Sequence, residues 1–277
     1  MGRRRLFHTA AQIVLVVWTL LIVGPLVWTL LASFKNNTEI FGDALQLPGS
    51  LRWDNWSRAW AKADIGRYLV NTVIVVFFGV TGTMVLSSAA AYVIARYRWP
   101  GRRLVSLVFT AGMAFPVFLA LVPLFFTVDN LGLVDTRLGL ILVYIAYSLP
   151  FTVFFLTSFF RGLPDAVAEA AAIDGAGHVR TFVQIMLPMA RPGLISLTIF
   201  NVLGQWNQYL LPLVLLPGDK NKWVLTQGIA DISTIAGYEA DWPALFAALC
   251  MSVLPVVAAY IVFQRHIQSG LTAGAVK

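Results

Sequence analysis

The chain has 277 residues, 58% of them hydrophobic and only 12% charged, with 20 basic and 13 acidic side chains for a net charge of +7. A soluble domain carries about a quarter charged residues, so this composition excludes an ordinary water-soluble fold and places the chain in the membrane class. A lone cysteine, Cys250, excludes an internal disulfide, and His8, His178 and His266 lack metal-ligand spacing, so no metal site is expected.

Arg3-Arg4-Arg5 precedes an uncharged run over 11–33. At 1.5 Å per residue a run of this length exceeds the ~30 Å hydrocarbon core and predicts a spanning helix. A polar loop over 34–68 follows, carrying Trp53, Trp56 and Trp60 at near-helical spacing, which suits an amphipathic piece lying at a membrane interface. Five further uncharged runs cover 69–95, 104–128, 138–160, 193–216 and 243–264, so the expected fold is all-α with six transmembrane helices. Several runs contain proline, which membrane helices tolerate when neighbours satisfy the freed carbonyls. Ser87 to Ala91 give the second run a small face for close packing.

Six spans put both termini on one side. That side carries twelve of the 20 basic residues against three acids (Asp165, Glu169 and Asp174), a net of +9, while the other carries eight basic and ten acidic residues, a net of −2. By the positive-inside rule both termini are cytoplasmic, and the basic excess reports topology rather than a nucleic-acid partner. No ionisable Asp, Glu, Lys, Arg or His falls inside a run. Such residues carry proton relays and ion sites, so their absence argues against an ion-coupled transporter. There is no phosphate-binding G-x-x-x-x-G-K-[ST] loop either, so energy from ATP has to come from another chain.

Two stretches stand out. Residues 163–192 are polar enough to leave the membrane and are expected to form two short helices around a turn. Pro164 and Asp165 suit a helix start, and Gly175 and Gly177 suit a left-handed stop. A second helix runs from about His178 to Met186 and ends at Leu187-Pro188. An amphipathic connector would look similar, but the spacing of Glu169-Ala170-Ala171, Gly175 and Leu187-Pro188 is more specific. The fifth run collects Asn201, Gln205, Trp206, Asn207, Gln208 and Tyr209. Neutral amides beside rings suit an uncharged, hydroxyl-rich ligand, or else bond neighbouring helices; both readings stay open.

At every defining position the stretch from Glu169 to Pro188 resembles the EAA loop of ABC-importer permeases. Leu121–Phe151, Phe159–Ala176, Trp206–Leu213 and Gly270–Lys277 resemble, in order, further parts of the maltose-type six-span sugar permease. This resemblance implies the type I importer permease fold, with an N-terminal span and external loop over 1–68, a permease domain over 69–264 containing the coupling loop 161–192, and a cytoplasmic tail over 265–277. It implies a bacterial inner-membrane subunit forming half of a pathway for a sugar or oligosaccharide, with a peptide, amino acid or phosphate as the alternative cargo. The implied partners are a second permease, paired ATPase subunits and an extracellular sugar-binding lipoprotein. ATP and magnesium would lie on the ATPase, and this chain would need no cofactor of its own and catalyse nothing. Glu169, Ala170, Ala171, Asp174, Gly175, Ala176, Gly177, Leu187 and Pro188 would couple to the ATPase. Gly270, Leu271, Thr272, Ala273 and Gly274 would reach toward it. Asn201 and Gln205 to Tyr209 would line the pathway.

Overall fold

A computed structural model describes residues 2–43, 45–239 and 241–273, and every regular element among them is helical. Four helices are long and apolar enough to cross a membrane: His8–Ala32, Ile65–Arg96, Arg137–Gly162 and Trp242–Val262. The number rises to six if each of two bent helix pairs is one span. Helix α1 is Gly2–Ala32, followed by the short α2 (Asn37–Phe41) and α3 (Asp54–Ser57), and by the long α4 (Ile65–Arg96). Next come α5 (Arg102–Ala114), α6 (Val117–Asn130), α7 (Arg137–Gly162) and α8 (Asp165–Ile173). After the short α9 (His178–Arg180) and α10 (Leu187–Met189) follow α11 (Arg191–Trp206), α12 (Leu210–Leu215), α13 (Leu225–Glu239) and α14 (Trp242–Ala273).

Two of the expected runs are not single helices. The run over 104–128 breaks into α5 and α6, which meet at 108°. Phe115 (φ −79°, ψ 118°) is extended, as the steric clash before a proline demands, and Pro116 (φ −68°, ψ 120°) is extended as well. The run over 193–216 breaks at 207–209, between α11 and α12. Pro212 would deny an uninterrupted helix the bond to the Gln208 carbonyl; that carbonyl accepts from Thr226 Oγ1 at 2.8 Å instead. Pro123, Pro150 and Pro255 sit inside intact helices.

The chain divides into two compact units. One comprises Met1–Leu69 with Gln227–Pro255. Along α1 the side chains of Val14, Leu15, Trp18, Leu20 and Leu21 are exposed, an apolar surface suited to lipid. Beyond α1 the polypeptide turns back, because the buried Asn55 amide donates to the carbonyls of Ser33 (2.8 Å) and Lys35 (3.0 Å). Phe34 packs against Trp53 and Trp56 with ring centroids 4.9 and 5.6 Å away. Trp53 and Trp60 stay exposed, whereas Trp56, stacked on Phe34, is half-buried. Arg58 donates to both oxygens of Asp241 (3.0 and 3.1 Å) and pairs with Asp54, and the Asp241 carboxylate holds the guanidinium pKa above its ordinary value.

The second unit comprises Val70–Thr226 with Val256–Lys277. In lipid no hydrophobic effect drives helices together, so close packing and internal hydrogen bonds must hold them. Here α4 presents Gly79, Thr83, Ser87 and Ala91 on one buried stripe, which extends the small face expected at 87–91 by two turns. α7 buries Leu140, Tyr144, Ser148, Thr152, Leu156 and Phe160 at a spacing of about four. The hydroxyl of Thr152 is satisfied within its own helix by the Ser148 carbonyl (2.8 Å), and that of Thr157 by the Val153 carbonyl (2.7 Å).

At one end of this unit a loop over 216–224 is clamped by Asp135. Asp135 adopts φ +55°, a left-handed conformation that Asp tolerates better than most residues. Its carboxylate accepts from Lys222 (2.8 Å) and from the backbone amides of Gly218 (3.3 Å) and Asp219 (3.2 Å). Lys222 and these amides hold the Asp135 pKa below the usual carboxylate value. A group depressed on folding adds stability above its unfolded pKa, about 3.9, and loses it as pH falls through the lower folded value. Melting curves from pH 7 to pH 3 should therefore show a larger acid loss in the wild type than in Lys222→Ala. For a pair this exposed the difference should be about 0.2–1 kcal/mol; equal loss in both would remove the ion pair as its cause.

Candidate functional site

The polar stretch after α7 forms two helical segments around a turn, as expected. Pro164 sits at the N-cap rather than in the first turn, which puts the Asp165 carboxylate at the first helical position, beside the positive end of the dipole. The turn is a Schellman motif. Gly175 stands at φ +77°, the Ala176 amide donates to Ala171 O (2.9 Å), and the Gly175 amide donates to Ala172 O (3.1 Å). The second segment runs through α9, a π-helical stretch over Thr181–Met186, and α10. It does not stop at Leu187-Pro188: both residues are helical, and the bend of 77° comes at Ala190, before α11. The wider π turns preceding Pro188 give its ring room that an α turn would not.

Contacts from the end of α4 fix this loop. Arg96, 9% exposed at its side chain, pairs with Asp165 and donates to the Leu163 carbonyl at 2.7 Å. Tyr97 meets His178 across an oxygen–nitrogen distance of 3.0 Å. Beneath the loop, Tyr92 lies against Phe160 and Phe182 (5.5 and 4.8 Å between centroids), and Met186 is fully buried. Of the expected coupling residues, Glu169, Ala170, Asp174, Gly175 and Gly177 are exposed. Ala171 is buried, and Ala176, Leu187 and Pro188 are half-buried, so these four hold the loop in place. Two residues escaped the sequence reading. Ile173 and Val179, 86% and 76% exposed, flank the turn as bare apolar knobs. An apolar residue in an otherwise polar, alanine-rich loop was the available signal.

The amide cluster divides differently. Asn201, Gln205 and Gln208 line a cavity of about 510 Å³ between the α5–α6 bend, α7 and α11, whereas Trp206, Asn207 and Tyr209 do not. Because α11 ends at Trp206, helical face-sharing cannot extend to Asn207, Gln208 and Tyr209. The exposed Asn207 instead donates to the Leu203 carbonyl at 2.8 Å and finishes the helix. Asn201 is committed to helix packing, since its amide donates to Leu197 O (2.9 Å) and to Thr152 Oγ1 on α7 (3.0 Å). Gln205 donates to Ser148 Oγ at 3.1 Å, and its buried Oε1 has no partner. A Cβ on Gly79 would approach that oxygen to 2.4 Å, so glycine is what admits the amide there.

The rest of the cavity comes from residues that sequence reasoning missed. Phe115 and Pro116 line it at the bend, Tyr144, Tyr147 and Ser148 from α7, and Phe200 from α11. Gly112 lets α5 approach α7 closely: a Cβ there would meet the Pro150 ring at 3.0 Å. Residues 270–273 continue α14, and Gly274 to Lys277 lie outside the described residues. No group of three or more metal-ligating side chains occurs among the described residues.

Comparison with known proteins gives this arrangement its family. Residues 83–272 match the family described as "Binding-protein-dependent transport system inner membrane component". The "Diacetylchitobiose uptake system permease protein NgcG" of Streptomyces coelicolor is 50% identical over 270 residues, 98% of this chain and 89% of that protein. The "Multiple sugar-binding transport system permease protein MsmG" of Streptococcus mutans is 31% identical, over 96% of this chain and 95% of that protein. Among solved structures, a chain of a bacterial ABC transporter that imports the acidic polysaccharide alginate superposes with TM-score 0.85 over 96% of this chain and 98% of its own. At 23% identity that likeness establishes the fold. The protein thus belongs to the inner-membrane components of binding-protein-dependent transport systems, as a permease and not an enzyme.

Proposed function

We propose that this chain is one of two permease subunits of an ATP-driven importer for a sugar or oligosaccharide, moved by ATPase subunits that seat the turn between α8 and α9. The observation that carries the coupling role is the exposed, Schellman-closed turn at the end of α8, a helix whose start Arg96 pins to α4. A loop so anchored transmits a push to the span above it, where a floppy connector would absorb it. Glu169, Ala170, Asp174, Gly175 and Gly177, with Ile173 and Val179, form the face an ATPase cleft would grip. Ala171, Ala176, Leu187 and Pro188 support it from beneath. The tail over 265–277, with Gly270 to Gly274, would reach the same ATPase pair, which holds the ATP and magnesium. The charge asymmetry supports a cytoplasmic side for this loop and both termini. A sugar as cargo is supported by the names of the two relatives. Delivery would come from an extracellular sugar-binding lipoprotein, through a pathway shared with the second permease.

Glu169→Lys tests the reading. It reverses a charge on an exposed face without touching the packing beneath. Uptake by the complete complex in ATP-loaded proteoliposomes should fall at least tenfold, a loss of about 1.4 kcal/mol in coupling. Insertion, followed by membrane fractionation, should be unchanged. Full uptake by the variant would show that coupling does not run through this loop.

A further inference from the structure

We propose that the cavity at the α5–α6 bend is a saccharide subsite belonging to this subunit, one that accepts an uncharged sugar and rejects an anionic one, with Tyr144, Gln208 and Ser148 as its polar contacts. This rests on the sugar-importer reading and adds to it where in the complex the sugar is held and of what charge.

Three observations converge. First, none of the lining side chains is Asp, Glu, Lys, Arg or His, while Phe115, Tyr147 and Phe200 supply aromatic surface. Rings pack on the apolar faces of sugars, and a carboxylate taken into such a cavity would lose its hydration with no cation to replace it. Second, the polar capacity is unspent. Tyr144, 2% exposed overall, is among the residues that line the cavity, and a phenol there can both donate to and accept from a sugar hydroxyl. The Gln208 side-chain amide is unpartnered among the described residues. Ser148 Oγ accepts from Gln205, which leaves its own O–H to donate. Third, the remaining amides are turned to helix packing: Gln205 donates to Ser148, and its unpartnered Oε1 lies against Gly79. Asn201 is bonded to α7 and to its own helix, so it holds the wall in place rather than greeting a ligand. At about 510 Å³ the space lies in the range of pockets that enclose small organic ligands.

The test is direct binding of radiolabelled diacetylchitobiose to the purified complex of both permeases and the ATPase pair, without the binding protein. Wild type is expected to bind it. Unlabelled diacetylchitobiose should compete, and a uronic-acid disaccharide of equal size should not. Tyr144→Phe, which removes one oxygen, and Gln208→Ala should each weaken binding about three- to tenfold, as loss of one hydrogen bond does. Co-purification of the partner subunits should be unchanged, which a folding defect would not allow. Unaltered binding in both variants, or equal competition by the uronic-acid disaccharide, would overturn the inference. So would a complex that takes up the sugar in proteoliposomes but does not bind it, and in that case the importer reading would stand. A complex that neither binds nor takes up any saccharide would sink both.

Discussion

Gly175→Val is expected to abolish uptake while leaving the chain in the membrane. The reason is backbone conformation alone, since a Cβ at this position would meet nothing within 4 Å. At φ +77° a β-branched residue is a genuine outlier, and holding it there costs about 1–3 kcal/mol. The Schellman bonds that close α8 are each worth about 0.5–1.5 kcal/mol, so the strain is enough to open the turn. Once it opens, Ala171 and Ala172 lose their amide partners, and the second segment no longer leaves the turn in the direction that brings His178 to Tyr97. The exposed face of Glu169, Ile173 and Val179 would then be presented as an ensemble. Asn at this position is the control, because it enters the left-handed region more readily than other non-glycine residues; Gly175→Asn should keep a substantial part of the uptake. The check is initial uptake in proteoliposomes beside membrane fractionation. If valine transports as well as glycine, the shape of the turn is irrelevant to coupling.

The contrast between what was legible and what was not comes down to which residues act through spacing and which through geometry. The loop could be read because Glu169, Gly175 and Pro188 sit at fixed intervals and break an apolar background. The spans could be read because lipid demands apolar length. The bend at Phe115–Pro116 could not, although the proline was in plain view. Pro123 and Pro150 lie within helices that continue, whereas Pro116 caps a new one. Which outcome a proline takes depends on whether neighbours satisfy the freed carbonyl, and that is a tertiary fact. Pro212 falls in the first turn of α12, where its missing N–H costs little. Tyr144 was invisible for a different reason. An aromatic in a membrane run can face lipid, as Phe77 and Phe78 do at more than half exposure, or close a cavity. Only the packing of α7 decides. The amide cluster was found as composition, but which of its members share a cavity could not be read, since α11 ends at Trp206 and Asn207, Gln208 and Tyr209 lie beyond it.

Arg96→Ala should cost nearly as much transport as opening the turn, and Asp165→Ala should cost far less, although the two residues form one ion pair. Sequence counted Arg96 as a topological charge at the end of a span; the structure makes it the tether of α8. Its guanidinium has two bonds of unequal worth. Asp165 is 84% exposed, and a pair with one partner in water contributes about 0–1 kcal/mol. The bond to the Leu163 carbonyl, at 2.7 Å from a side chain only 9% exposed, is charge-assisted and shielded, worth about 1.5–3 kcal/mol. Leu163 immediately precedes the N-cap of α8, so this bond sets where the helix begins. Arg96→Lys retains the charge but has no planar fork with which to reach both partners, and should fall between wild type and alanine. Uptake by the three variants, normalised to assembled complex, should rank Asp165→Ala above Arg96→Lys above Arg96→Ala. Salt should separate the contributions further: raising ionic strength screens the exposed pair and leaves the carbonyl bond intact, so wild-type uptake should vary little with salt. If Asp165→Ala proves as damaging as Arg96→Ala, the carboxylate and not the carbonyl holds the start of α8 in place.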